Sequence, residues 1–322
     1  AEYGRAMFAI YAAGVNPDDP MSQLVVGELD AGPTPDDWVT VTVRAASLNH
    51  HDVFSLTGQA LKADRVPMIL GTDAAGVTED GREVIVHAVV GETDAGDGDE
   101  TLDPRRRLMS EVYPGIFADR VRVPARNLVN KPSELSFEEA ACLPTAWLTA
   151  YRMIAVKSDT APGYTLLVQG AGGGVATALI VLGKALGRRV WVTSRDPGKR
   201  EWALSIGADA AFETGARLPE RVDAVMETVG EATWSHSLKA LRPGGRIVIS
   251  GATSGANPPA DLNRVFFLQL SIVGSTMGTV GELAELTALL ATSGVRPIID
   301  RVLPMADARE AFAAMHAGDV HG

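Results

Sequence analysis

Residues 165–176 read TLLVQGAGGGVA, and glycine in this arrangement can hold a phosphate. A short apolar run, Leu166–Val168, ends in the glycine cluster, and an apolar helical pattern follows from Val175 to Leu186. In such a strand–turn–helix, backbone N–H groups at the helix start point at the pyrophosphate of a dinucleotide. Glycine is needed because a side chain would block the tight turn and the close backbone approach. A literal GxGxxG frame from Gly170 fails at Val175, whereas a GxxGxxA frame over Gly170, Gly173 and Ala176 fits. Gly170, Gly172, Gly173, Gly174 and Val175 are the expected pyrophosphate contacts. The plainer reading is an ordinary turn between a buried strand and a helix.

The next strand, Arg189–Thr193, runs into Ser194 and Arg195. A carboxylate at this point would take the ribose 2′-hydroxyl of NAD and repel a 2′-phosphate. A guanidinium attracts that phosphate, and a serine hydroxyl can donate to it. Ser194 and Arg195, with Lys199 or Arg200 a helical turn on, therefore favour NADP(H). Asp196 argues the other way if the strand end shifts, and a solvated surface pair is the plain alternative for Arg195 and Lys199.

Around this site the chain alternates strands and helices. The pattern predicts strand 165–169, helix 174–186, strand 189–193, helix 197–206, strand 210–212, strand 222–226, helix 231–241, strand 245–250 and strand 270–274. Repeated βα units imply a doubly wound parallel sheet. Arg242-Pro243-Gly244-Gly245 reads as a turn feeding the strand after it. The first third is β-rich: Trp38–Ala45 alternates with period two, and Arg82–Val90 and Ala118–Val123 are further strands. Gly91–Arg107 between them is a charged loop, expected to be solvated surface, with a lid or interface arm as the alternative. Ser136 and Glu139 form a capping box opening a helix. After Arg296 a strand is expected, then an amphipathic helix over Ala306–Ala317.

The 322 residues allow one large domain or two ordinary ones, and 46% hydrophobic content supports sizeable cores. No apolar run is as long as a membrane span. One cysteine, Cys142, excludes an intrachain disulfide and any multi-cysteine metal site and fits a reduced, cytoplasmic setting. A net charge of −11 argues against nucleic acid or an anionic membrane as partner.

With a dinucleotide site in mid-chain behind a β-rich third, the sequence resembles the medium-chain dehydrogenase/reductase superfamily. The likeness rests on Asn49–Gly58 (NHHDVFSLTG), Ile69–Gly76 (ILGTDAAG), Glu138–Arg152 (EEAACLPTAWLTAYR), Gly230–Ser250 (GEATWSHSLKALRPGGRIVIS) and Leu270–Gly278 (LSIVGSTMG). It is closest to the quinone oxidoreductase-like branch grouped with zinc-binding alcohol dehydrogenases. The resemblance implies an α/β fold: a Rossmann doubly wound parallel sheet, 129–295, inserted into a GroES-like β-rich catalytic domain, 1–128 plus 296–322. Thr149 matches the position that holds the nicotinamide face. Gly251, Ala252 and Thr253, and Ser275, Thr276 and Met277, match loops beside the nicotinamide ribose. It further implies a homodimer through sheet edges, with Leu270–Ser275 as the candidate edge, and one more strand beyond Gly322.

The departures from the family pattern bear on chemistry. Zinc enzymes that this chain resembles carry a cysteine where Asn49 stands, a histidine at Thr72 and a third ligand at Thr145. Amides and hydroxyls are poor zinc ligands, so no zinc is expected. A rebuilt metal site from His50, His51, Asp52, Asp73 or Cys142 is the weaker alternative, since adjacent histidines on a strand point apart. Without a Lewis acid, hydride addition to a conjugated carbonyl is easier than alcohol oxidation. Asn49, Thr72 and Thr145 would hydrogen-bond the growing oxyanion, and His51 or Asp52 would relay a proton. Asp52 and Asp73 read equally as structural turn carboxylates. Phe54, Trp147, Phe266 and Phe267 are possible walls for a flat ligand, with core packing as the plainer role. The expectation is a zinc-independent, NADPH-dependent reductase of quinones or α,β-unsaturated carbonyls. The alternatives are an alcohol or aldehyde dehydrogenase with an altered metal site, or an NADPH-binding sensor with little turnover.

Overall fold

The computed structural model describes residues 5–322. They form two compact units, one of residues up to Thr145 with Thr279–Val320, the other of Ala146–Gly278 with His321–Gly322. The sequence-based boundaries after 128 and 295 both fall inside the first unit.

The first unit is built on antiparallel strands. These are β1 (Met7–Ala12), β2 (Leu24–Leu29), β3 (Val39–Ser47), β4 (Met68–Ile69), β5 (Asp73–Thr78), β6 (Glu83–Val86), β7 (Val89–Val90), β8 (Arg107–Leu108), β9 (Arg120–Val123) and β10 (Leu128–Asn130). Five of them form a sheet in the order β10-β6-β5-β3-β9, and a second sheet runs β2-β1-β4. Gly76 lets β5 approach β3, since a Cβ there would sit 2.1 Å from the Thr42 carbonyl oxygen. Helix α1 (His50–Thr57) follows β3 directly. Asp52 closes its first turn by accepting the Asn49 N–H at 2.8 Å, and Gly58, at φ 87°, ends it. Leu56 of α1 packs with Ile10, Leu24, Leu70 and Phe117 in the core. The short α2 (Phe137–Ala141) opens with the expected capping box, Ser136 with Glu139.

The second unit begins with α3 (Leu148–Arg152). It continues through β11 (Thr165–Gln169), α4 (Gly174–Ala185), β12 (Arg189–Thr193), α5 (Pro197–Ser205), β13 (Ala210–Phe212), β14 (Val222–Glu227), α6 (Glu231–Ala240), β15 (Leu241–Ile249), α7 (Leu262–Phe267) and β16 (Ser271–Gly274). All six strands are parallel, in the order β13-β12-β11-β14-β15-β16. Every residue of β11 is buried, as a central parallel strand with both faces covered requires. Leu167, Val225 and Ile247 of the central strands share a core with Trp234 and Leu238 of α6. The chain then returns to the first unit with α8 (Val280–Ser293) and α9 (Ala308–His316), whose Phe312 joins the core under α1.

Three expectations are corrected. Residues 297–304 form no strand; the two prolines in this stretch, Pro297 and Pro304, lack the N–H that a ladder needs. Residues 242–245 lie within β15, where a register irregularity between Val222 and Ala224 accommodates Gly244 at φ 74°. His50 and His51 belong to a helix rather than a strand. Among the described residues, no helix is long and apolar enough to cross a membrane.

Candidate active site

A buried polar cluster in the first unit gathers residues from four segments. Ser47 ends β3, Asn49 precedes α1, Thr72 immediately precedes β5 and Asp73 begins it, and Thr145 sits in a π-helical turn, Leu143–Trp147. Asp73 is fully buried, and both of its carboxylate oxygens are engaged. Oδ2 accepts the Ser47 hydroxyl at 2.6 Å and the Asn49 amide at 2.8 Å. Oδ1 accepts a short hydrogen bond from the Thr145 hydroxyl. Thr145 Oγ1 lies 2.9 Å from Thr72 Oγ1. Five expected site residues respond differently: Asn49, Thr72 and Thr145 converge, Asp52 accepts the Asn49 N–H at 2.8 Å, and His51 turns to Glu111, donating from Nε2 at 2.7 Å.

Burial dominates the electrostatics here. It pushes Asp73 up to about 7, although hydrogen bonds from Asn49, Ser47 and Thr145 oppose the shift. Asp52 is pushed up to about 6 by burial, with the His51 charge and the N–H of Asn49 opposing. For His51, burial acts to lower the value, and the Glu111 hydrogen bond with the charges of Asp52, Glu111 and Asp73 outweighs it, so the net shift is upward. His51 Nδ1 is buried without a hydrogen-bond partner.

These side chains do not fit a zinc ion. The converging donors are one amide and two hydroxyls, and the one carboxylate among them is already saturated by three donors. Cys142 turns its sulfur to the Glu138 carbonyl, and burial pushes its thiol up to about 12. Among the described residues, no group of three or more His, Cys, Asp or Glu side chains could hold a metal.

The second unit carries the features expected of a dinucleotide cradle. Gly170 and Gly172 adopt φ of 87° and 97°, in the left-handed region that favours glycine. Gly173 precedes α4 with no side chain capping that helix, and a Cβ on Gly173 would meet open space. The first N–H groups of α4 thus have no side-chain acceptor at the cap. The Lys199 side chain lies alongside, 3.1 Å from where a Cβ on Gly172 would be. Gly322 also lies against this loop, donating its N–H to the Gly172 carbonyl at 3.2 Å.

At the end of β12, Ser194 is buried and Arg195 exposed. The Asp196 carboxylate accepts the N–H groups of Gly198, at 2.7 Å, and Lys199, at 3.2 Å, capping α5. Asp196 is therefore committed to the helix rather than offered to a ribose. The 251–255 loop is held by Thr253 N–H on the Thr228 carbonyl at 3.2 Å and by Glu231 N–H on Gly255 at 3.1 Å. Glu227 fixes the turn beneath it, accepting N–H groups of Val229 and Gly230 and hydroxyls of Thr233 and Ser237. In the third loop, Ser275 Oγ is buried without a partner, Thr276 gives its carbonyl to Arg152 at 3.4 Å, and Met277 holds φ at 42°. An orphaned hydroxyl beside a strained residue marks a place that a ligand can complete. Thr149 is buried on α3. Phe266 and Phe267 stand 68% and 78% exposed on α7, whereas Trp147 is core.

Sequence reasoning missed two members of these sites. Ser47, at the end of β3 two residues before Asn49, was accessible from its spacing. Glu111 lies 60 residues from His51, and no local pattern announces it.

A GroES-like antiparallel domain carrying an inserted Rossmann domain is the class that these two units define. Residues 35–133 match the family model described as alcohol dehydrogenase GroES-like domain, and residues 174–292 that described as zinc-binding dehydrogenase. The crotonyl-CoA carboxylase/reductase of Cereibacter sphaeroides is 27% identical, over 86% of this chain and 77% of its own length. The acryloyl-coenzyme A reductase of Sulfurisphaera tokodaii is 28% identical, over 86% of this chain and 88% of its own. A crystal structure of an NAD-dependent alcohol dehydrogenase superposes with a TM-score of 0.86 at 31% identity, covering 98% of each chain. The chain belongs to the medium-chain dehydrogenase/reductase superfamily, within its zinc-type alcohol dehydrogenase-like group.

Proposed function

We propose that this chain is a zinc-independent, NADPH-dependent reductase of small α,β-unsaturated carbonyls or quinones. The observation that carries the reading is the amide–hydroxyl cluster of Asn49, Thr72 and Thr145 around a saturated Asp73, which offers hydrogen bonds and no metal ligand set. Two of the relatives support the unsaturated substrate by name, being reductases of crotonyl-CoA and acryloyl-coenzyme A. The NAD-dependent relative speaks for the other cofactor. Arg195 with Ser194, and the commitment of Asp196 to α5, speak for NADP(H) here.

Bound NADPH would supply a hydride to an electron-poor carbon. The chain's own residues would do the rest. Gly170–Val175 and Lys199 would hold the pyrophosphate, and Arg195 and Ser194 the 2′-phosphate. Thr149, Gly251–Thr253 and Ser275–Met277 would hold the nicotinamide end. Donors preset around a developing oxyanion stabilise it without reorganising, and the Asn49 amide, with the Thr145 hydroxyl when its proton is not spent on Asp73, would be such donors. His51, hydrogen-bonded to Glu111, would hold the proton that completes the reduction. The hydride would carry two electrons and one proton and a second proton would follow, leaving a saturated carbonyl from an enone or a hydroquinone from a quinone.

A substrate panel tests this. NADPH oxidation by an enone or quinone that persists in a chelator is the expected outcome. Alcohol oxidation abolished by chelator and restored by zinc would overturn it, and tight NADPH binding without any turnover would leave a sensor instead.

A further inference from the structure

Asp73 takes no chemical step in the scheme above, yet its two oxygens face different partners. Oδ2 already accepts from both Ser47 and Asn49, and the Asn49 amide N–H2 has no lone pair to accept in return, so a proton on Oδ2 would disturb two donors where a proton on Oδ1 disturbs one. Oδ1 meets only the Thr145 hydroxyl, which in turn meets Thr72. A hydroxyl has one proton to give and two lone pairs. With Asp73 ionised, the single proton of Thr145 is spent on Oδ1, and Thr72 donates to Thr145. A ligand oxygen beside Thr145 then meets lone pairs. With a proton on Oδ1, the carboxyl donates to Thr145, and the Thr145 proton is released toward another acceptor. Thr145 is the partly exposed end of the chain of hydroxyls; Thr72 is 1% exposed and Asp73 fully buried.

We propose that Asp73 is a positioning residue whose carboxyl sets the direction of the Thr145 hydroxyl, so that Thr145 donates to an anionic ligand oxygen only while Asp73 is neutral. The proposal rests on the reductase reading for the identity of that oxygen, a carbonyl oxygen gaining negative charge, and on nothing else in it. Burial places Asp73 at about 7, so both forms are populated near neutrality. The titratable groups that bear on it are Asp52 and His51 from α1 and Cys142 at the end of α2. Asp52 acts to raise the value. Cys142 stays a neutral thiol throughout, and Glu111 acts on His51.

The sign follows. A reduction that needs the Thr145 donor is fast below the Asp73 value and declines as pH rises through about 7. Losing one oxyanion donor costs roughly 100-fold, so kcat/KM for an enone falls by up to about that factor toward pH ~9. In Asp73→Asn the amide N–H2 takes the Oδ1 place and donates to Thr145, while the amide oxygen keeps Ser47 and Asn49. The decline then disappears, and the variant exceeds the native enzyme at pH ~9 by roughly 10-fold or more. Thr145→Ser keeps the decline, and Thr145→Val lies at the high-pH rate at every pH. A folded Asp73→Asn that still declines like the native chain, or that is inactive throughout, overturns the proposal.

A second measurement needs no substrate. The infrared carboxyl band of neutral Asp73, titrated with pH, should shift when Thr145→Val removes its acceptor. An unshifted band, or none at any pH below neutrality, overturns the proposal even if enones are reduced. A shifted band in a chain that reduces no enone or quinone would leave the Asp73–Thr145 coupling standing and remove only the reductase reading.

Discussion

Arg195 and Asp196 are neighbours in sequence with opposite implications for cofactor choice, and hydrogen bonding separates them. Asp196 is bound to two N–H groups of α5, which leaves the guanidinium of Arg195 as the charge exposed at the end of β12. A charge-assisted hydrogen bond contributes about 1.5–3 kcal/mol, or roughly a factor of 10 to 100 in affinity. Arg195→Ala should therefore raise KM for NADPH about 10-fold or more while leaving KM for NADH nearly as it was. Equal changes for both cofactors in steady-state kinetics would show that no 2′-phosphate is read there. The residues of this loop were legible because a phosphate site depends on a few consecutive backbone groups and near neighbours. Asp73 was legible only as a carboxylate of uncertain use. Its role depends on Ser47, Asn49 and Thr145, the last of which lies 72 residues away.

At the scale of elements, the βα units of the second unit were read closely. Strands 165–169, 189–193 and 210–212 have the expected bounds. Buried parallel strands are short continuous apolar runs, and glycine or proline punctuates them. The connection between α4 and β12 shows how tightly these units pack. A Cβ on Gly183 would lie 2.7 Å from Val190 Cγ2. Gly183→Ala should destabilise the chain by about 1–3 kcal/mol, since overpacking outweighs the helix propensity gained. Urea unfolding measures this, and a stabilised variant would show that helix and strand can separate at no cost. The first unit was less legible. Its helix α1 was not legible in the sequence, where two histidines and an aspartate carry no apolar period, and tertiary packing of Leu56 decides the matter. Helix α8 went unread although Thr279 and Glu282 form a capping box.

For the molecule as a whole, the sheet of the second unit ends in β16, beyond which no strand pairs among the described residues. Ile272 is 43% exposed on that strand, with Leu262, Phe266 and Phe267 of α7 also exposed. An apolar, unpaired edge is a liability unless another chain covers it. The homodimer expected from the sequence would close through β16. Ile272→Lys should convert a sedimenting dimer to a monomer, because a buried unpaired lysine at such a contact is costly. A native chain that sediments as a monomer at all concentrations would refute the dimer.

The sequence by itself determined the glycine turn, the alternation that makes the parallel sheet, and the loss of zinc-ligand residue types at 49, 72 and 145. The first two are set by neighbours within a few residues, where backbone sterics and side-chain period act, and the third follows from the resemblance to the zinc enzymes. Only the tertiary structure decided that Asn49, Thr72 and Thr145 surround Asp73, that Asp196 belongs to a helix cap, and that His51 answers to Glu111. Those partners are joined by sheet register and by burial, and burial sets the proton affinity of a carboxylate through its whole surroundings rather than through its place in the chain.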